Sequence, residues 1–318
     1  MLKTRLTEKL NIDVPILLAP MAFASGGALA SAVTQAGGLG FIGGGYGDKD
    51  WLKQEFNAAG NAVVGCGFIT WSLADRPELL TQALDRSPKA IFLSFGNPKP
   101  FADQIKQAGA LLICQVQTLQ DAKHAIDTGA DIIVAQGAEA GGHGEKRATF
   151  TLVPEVADYI ARNAPDILLV AAGGIADGRG LAASLMLGAD GVLVGSRFWA
   201  ASEALVHPNM WQAAIDATGD DTLRSKIVDI VRSRDWPDRY TINLVQNDFS
   251  KDWHGCESAL KADKAAQETW NDALGAGNTA IANIFVGEAT GLIHDVKPAR
   301  EIIDMIVSQA KACLKSYS

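Results

Sequence analysis

The feature that most restricts this chain is a recurrence. Eight short apolar runs lie at residues 15–20, 39–43, 63–69, 90–95, 111–116, 132–135, 167–171 and 191–195. Helix-like segments at 26–35, 48–59, 77–85, 100–108, 119–128, 152–163 and 178–187 separate most of them. Apolar runs without alternation suit parallel strands covered on both faces. Several helical segments end in Ala-Gly or Thr-Gly, the pattern of a glycine just past a helix C-terminus. The succession predicts an α/β protein, a (β/α)8 TIM barrel, with a doubly wound sheet as the competing architecture. One interval is longer than the rest. After the sixth run the chain inserts Ala-Gln-Gly-Ala-Glu-Ala-Gly-Gly-His-Gly at residues 135–144. Extra length between a barrel strand and its helix belongs at the catalytic face.

After Ser202 the pattern changes. Segments 208–218, 222–233 and 259–274 read as helices, joined by polar connectors rich in Asp, Asn and Trp, with no alternating strand pattern. Residues 205–280 therefore predict a helical substrate or lid domain closing over the barrel mouth. Residues 1–204 and 281–318 would form the barrel. Ile302, Ile303, Ile306, Val307 and Ala310 repeat with a helical period, which makes 298–315 its last outer helix.

Composition excludes some partners. A formal charge of −8 with no basic stripe argues against nucleic acid. No apolar run reaches the length of a membrane span, and the first residues, Met-Leu-Lys-Thr-Arg-Leu-Thr-Glu, lack the apolar core of a signal peptide. Cys66, Cys114, Cys256 and Cys313 show no zinc or disulfide spacing, which fits a reducing cytoplasm. No metal is expected, because no second histidine or carboxylate stands at ligand spacing from His143.

Three stretches carry chemistry. His143 sits among Gly141, Gly142 and Gly144, where an imidazole can exchange protons near neutral pH. Glu139 beside it suits a supporting acceptor or helix cap. The glycine loops after the seventh and eighth runs offer the backbone N–H groups of Gly173, Gly174, Gly195 and Ser196 to a phosphate, the usual phosphate position of a barrel. The simpler reading of these glycines is a tight strand-to-helix turn. Pro20-Met21 after the first run could meet an aromatic ring system. Trp71 after the third run suits either a substrate-pocket wall or packing at the barrel rim. His124, His207, His254 and His294 read as structural or surface residues.

Five stretches also resemble the nitronate monooxygenase family, formerly called 2-nitropropane dioxygenase. They are Ala-Pro-Met at 19–21, Ala-Gly-Gly-Leu-Gly at 36–40, the histidine loop, Ala-Gly-Gly-Ile-Ala-Asp-Gly-Arg-Gly at 172–180, and Leu-Gly-Ala-Asp-Gly-Val-Leu-Val-Gly-Ser-Arg-Phe at 187–198. Val-Gly-Glu-Ala-Thr-Gly-Leu-Ile at 286–293 adds to them. The resemblance implies a TIM barrel with non-covalent FMN and a helical substrate domain. It implies a catalytic His143 and flavin-phosphate contacts at Gly173, Gly174, Gly195 and Ser196. Contacts near the flavin ring would fall on Ala19, Pro20, Met21, Gln136 and Gly141, and Gly142 and Ala172 would also bind the cofactor. The implied reaction is oxidation of alkyl nitronates, and of nitroalkanes after His143 removes the α-proton, by O2 to carbonyl compounds and nitrite. FMN-dependent NADH:quinone reductases and enoyl-thioester reductases of this fold carry close variants of the histidine motif, and in that reading NAD(P)H is a partner. A phosphate-ligand barrel without redox chemistry is the reading from another class. The resemblance is compatible with a homodimer. Leu18, Gly67 and Gly144 depart from the family, which often has Gln, Asn and Arg there.

Overall fold

All eight apolar runs form parallel strands, and their residues alternate between two buried faces. The structure, a computed structural model, describes residues 2–316. In chain order its strands are β1 (Ile16–Leu18), β2 (Phe41–Gly45), β3 (Gly65–Ile69), β4 (Ala90–Ser94), β5 (Leu111–Val116), β6 (Ile132–Gln136), β7 (Gly142–Gly144), β8 (Leu168–Ala172), β9 (Gly191–Val194), β10 (Thr222–Ser225) and β11 (Thr241–Val245). The main sheet runs β1-β9-β8-β6-β5-β4-β3-β2. A parallel bridge from Leu17 to Leu39, just ahead of β2, joins its two ends into a TIM barrel.

Leu17, Phe41, Phe92, Ile113, Ile132, Val134, Val170 and Leu193 fill the barrel interior. Phe41 and Phe92 meet there edge to face at 5.6 Å. Their neighbours Ile16, Leu18, Ile42, Ile91, Leu112, Ile133, Leu169 and Val192 pack outward against the helices. Both faces are dry, so the strands show no polar alternation. Helix ends follow the sequence signals. Thr118 caps Leu119–Thr128 by accepting from the Asp121 N–H at 3.1 Å, and Gly129 ends that helix at φ +88°. The last helix, Ala299–Ser316, buries Ile302, Ile303 and Ile306 in the outer layer. Cys66 and Cys114 are core residues; burial raises both thiols, Cys114 to about 12, so neither supplies a thiolate at neutral pH.

The segment after the barrel is not all helical, which corrects the sequence expectation for 205–280. Strands β10 and β11 form an antiparallel sheet there, and its third strand is β7, in the order β10-β11-β7. Within 222–233 only Ile227–Val231 is helical. Leu223, Ile227, Val228 and Val231 carry a helical spacing that hides the short strand before them. The segment 259–274 is likewise two helices, Glu257–Ala262 and Lys264–Ala276. Asp263 divides them, its carboxylate accepting from the Ala266 N–H at 2.9 Å. The segment has a core of its own around Trp270, Ile227, Val228 and Leu244, joined by Ala282, Ile284 and Val286. Among the described residues no helix is long and apolar enough to cross a membrane.

Candidate active site

One cavity lies between the carboxyl ends of the barrel strands and the inserted segment. The residues that the sequence nominates for a cofactor reach it together: Ala19, Pro20, Met21, Gln136, Gly141, Gly142, Ala172, Gly173, Gly174, Gly195 and Ser196, with His143. Arg232, Trp236, Ile242 and Phe285 line its other side. Trp71 does not line it, a correction to its substrate-pocket reading. A short helix, Thr70–Leu73, follows β3 directly and carries the indole into an aromatic cluster with Tyr46 and Trp236 at 6.1 and 5.4 Å.

Two departures from the family pattern have physical outcomes. Leu18 is fully buried in the strand–helix layer and does not touch the cavity. Gly67 does line the cavity, but a Cβ there would overlap the Pro20 ring, so no side chain fits as the loop stands.

His143 sits on β7, opposite Ile242 of β11. Its Nε2 lies 2.8 Å from Asp229 Oδ1, and the two side chains are 9% and 7% exposed. The ring lies flat on Trp236, with centroids 3.4 Å apart and planes 8° apart, while Phe95 meets its edge at 6.2 Å. Burial lowers the imidazole pKa below its ordinary 6.5, against the raising effect of the Asp229 hydrogen bond and charge. At pH 7 the ring is therefore neutral. With Nε2–H donated to Asp229, Nδ1 is the basic nitrogen, and among the described residues it has no partner. Asp229 Oδ2 is buried and unpartnered.

The loop carrying His143 is held from several directions. Gln136 Nε2 donates to the His143 carbonyl at 3.1 Å, while Gln136 Oε1 accepts from Gln117 at 2.8 Å and Gln115 at 3.1 Å. Arg224 donates to the Ala138 carbonyl at 2.7 Å and the Thr241 carbonyl at 2.9 Å, and Asn243 donates to the Ala140 carbonyl at 3.2 Å. Glu139 is a helix cap, as its position suggested. Its carboxylate accepts the Thr149 N–H at 3.0 Å and the Thr149 hydroxyl at 2.8 Å.

The opposite end of the cavity is built from the loops after β8 and β9. Gly173 and Gly174 hold φ at +104° and +72°, the left-handed region that glycine tolerates. Among the described residues, the N–H groups of Gly174, Gly195 and Ser196 donate to no protein acceptor. Orphan donors in two adjoining loops form an anion cradle. A Cβ on Gly195 would stand 3.5 Å from the Ala19 Cβ, an ordinary contact, so one added methyl fits.

Asp229, Trp236, Arg232 and Arg224 were not foreseen. They come from a stretch with no motif, and only the pairing of β7 with β11 reveals that it meets the histidine loop.

Comparison with known proteins agrees with this geometry. The family description "Nitronate monooxygenase" matches residues 3–76 and 73–309. A nitronate monooxygenase of Neurospora crassa is 32% identical over 94% of this chain and 90% of its own length. A Mycobacterium tuberculosis protein named (3aS,4S,5R,7aS)-5-hydroxy-7a-methyl-1-oxo-octahydro-1H-indene-4-carboxyl-CoA dehydrogenase is 28% identical over 100% of this chain and 98% of its own. Among solved structures, FabK from Thermotoga maritima superimposes with a TM-score of 0.88 at 30% identity, covering 100% of this chain and 99% of that one. With a barrel, a histidine at its mouth and matches along nearly its whole length, this chain is an oxidoreductase that belongs to the nitronate monooxygenase family.

Proposed function

We propose that the protein binds FMN and oxidises alkyl nitronates with O2 to a carbonyl compound and nitrite, with His143 as the base that also admits neutral nitroalkanes. The observation that carries this reading is the state of His143, a neutral imidazole with Nε2 committed to Asp229 and Nδ1 unpartnered beside the cavity.

The cavity suits a phosphorylated planar cofactor. The orphan N–H groups of Gly174, Gly195 and Ser196 would hold its phosphate, with Gly173 shaping the turn. Ala19, Pro20, Met21, Gln136, Gly141, Gly142 and Ala172 would border its ring. When bound, the flavin supplies the electron acceptor and the reactivity with oxygen. The chain supplies placement and the proton step. His143 Nδ1 takes the proton from the carbon bearing the nitro group, and the C–H electron pair passes into the nitro group to give the nitronate anion. The resulting imidazolium is stabilised by the Asp229 carboxylate at Nε2 and faces the new anion. Trp236 and Phe95 exclude water from the ring and keep it unprotonated beforehand. The inserted segment, whose β11 pairs with β7 of the histidine loop, would complete the pocket around the substrate.

A second reading, an FMN-dependent NADH:quinone or enoyl-thioester reductase, is supported by the full-length similarity to FabK and to the CoA-ester dehydrogenase. Anaerobic mixing decides between them. The oxidase reading expects a nitronate alone to bleach the flavin, with nitrite released on admitting air. Rapid bleaching by NADH, with none by nitronates, would replace it with the reductase reading.

A further inference from the structure

A second cavity opens beside the first and has no part in the reaction above. Phe23, Trp51, Arg76 and Arg234 line it, and the backbone of residues 43–47 forms one wall. Ala22, Gly45 and Tyr46 border both cavities, so the two adjoin.

Its cations have no carboxylate partner among the described residues. Arg234 lies 4.2 Å from the centre of the Tyr46 ring, and Arg232, on the inner side, lies 5.5 Å from it. Among the described residues, neither arginine nor Arg76 has a carboxylate within ion-pair distance. Arg76 spends one N–H on the Gly47 carbonyl at 2.7 Å. Asp48 is the single carboxylate lining the cavity, and its Oδ1 is occupied by the Trp51 N–H at 2.7 Å, where it caps helix Lys49–Ala59.

One of its aromatic rings is held at a cost. Phe23 adopts φ +62° and remains 49% exposed, its ring edge-on to Trp51 at 5.8 Å. A left-handed backbone at a bulky residue is an outlier, and such strain gathers at ligand sites. Gly45 and Gly47 are also left-handed, at φ +55° and +81°, and between glycines Tyr46 is the one side chain of this wall.

We propose that this outer cavity binds the adenosine diphosphate portion of a cosubstrate whose reactive end enters the inner cavity. The exposed Phe23 ring and the half-buried Trp51 ring suit the flat, apolar adenine. The guanidinium forks of Arg234 and Arg76 match a diphosphate, which arginine recognises bidentately. Tyr46 stands where the ligand passes from one cavity to the other. Residues 43–47 lack the spaced glycine fingerprint of a dinucleotide fold, so recognition here is by arginine and aromatic side chains instead. NAD(P)H and coenzyme A thioesters both carry this moiety. The inference does not depend on the nitronate chemistry, since it concerns binding alone.

ADP is the probe, titrated calorimetrically into the purified flavin-loaded protein. Saturable binding is expected, weaker for adenosine. Arg234→Ala and Trp51→Ala should each weaken it about tenfold, the scale of one charge-assisted or stacking contact, with unchanged circular dichroism and flavin content. Arg234→Lys should recover part of the loss, because the charge remains. Titrations of NADH and of coenzyme A in saturating ADP identify the source as the ligand whose binding ADP blocks. The proposal is overturned if ADP does not bind, if the folded Arg76→Ala/Arg234→Ala double variant binds it equally well, or if ADP blocks neither ligand.

Discussion

His143 and Asp229 are 86 residues apart in the chain, yet their side chains meet at 2.8 Å at the edge of the cavity. The histidine is carried by β7 and the carboxylate by a helix of the inserted segment. Asp229 orients the imidazole, is buried with it and leaves Nδ1 as the nitrogen without a partner among the described residues.

Replacing His143 with Asn should leave fold and flavin content intact, because the anion cradle lies in other loops. Turnover of a neutral nitroalkane should fall by about two to four orders of magnitude, the scale of losing a general base. Turnover of a preformed nitronate should fall far less, since its proton is already gone. Steady-state rates with the two substrate forms check this, and equal losses would make His143 an anion-binding group instead.

Asp229→Asn should act through His143 rather than on substrate. The carboxylate raises the imidazole pKa against burial, so its loss should lower that pKa further. The acid limb of kcat/KM for a neutral nitroalkane depends on neutral His143. In the native enzyme it should lie below pH 6.5, and in the variant it should move to still lower pH. The plateau should drop by about tenfold or more, because the imidazolium has lost its counter-charge. A pH profile of unchanged midpoint would remove Asp229 from this role.

Gly195 offers a paired test of the phosphate cradle. Gly195→Ala should retain flavin, because its Cβ meets Ala19 at an ordinary 3.5 Å. Gly195→Asp should lose it, because a carboxylate would stand among the N–H groups assigned to the phosphate. Flavin released by heat from each purified variant measures both. A folded Gly195→Asp protein with full flavin content would place the phosphate elsewhere.

Gly67→Asn, which restores the residue frequent in the family, should not be a gain. The new side chain overlaps the Pro20 ring and must push the Ala19–Met21 turn aside, costing about 1–3 kcal/mol as an overpacked site. Urea unfolding of the two proteins reads this directly, and equal midpoints would mean that the turn yields freely.

The barrel was legible because burial on both faces removes polar alternation from its strands, leaving short apolar runs such as residues 132–135 that recur between helical segments. His143 and the two glycine loops were legible because each is contiguous. Asp229 and Trp236 were not, because they reach the site only through tertiary pairing. Strand β7 reads Gly-His-Gly, which has no strand propensity, and acquires its strand geometry from β11. β10 is half-exposed and runs into an apolar helix, so its four residues were absorbed into the helical period. Trp71 stayed open between pocket wall and rim because the sequence does not tell which way a ring turns when a strand passes directly into a helix.

The ladder between β7 and β11 bears on how substrate enters. A detached lid could swing clear of the cavity while the base stayed behind. Here Thr241, Ile242 and Asn243 are in register with Gly144, His143 and Gly142, so any outward movement of the inserted segment must break those pairs or drag the imidazole with it. Breaking the pairs takes Asp229 and Trp236, which the segment carries, away from the imidazole, and dragging the imidazole moves Nδ1 itself. In the proposed reaction, admission of substrate and readiness for proton abstraction would then be separate conformations, and a nitroalkane would lose its proton only after the mouth had shut behind it.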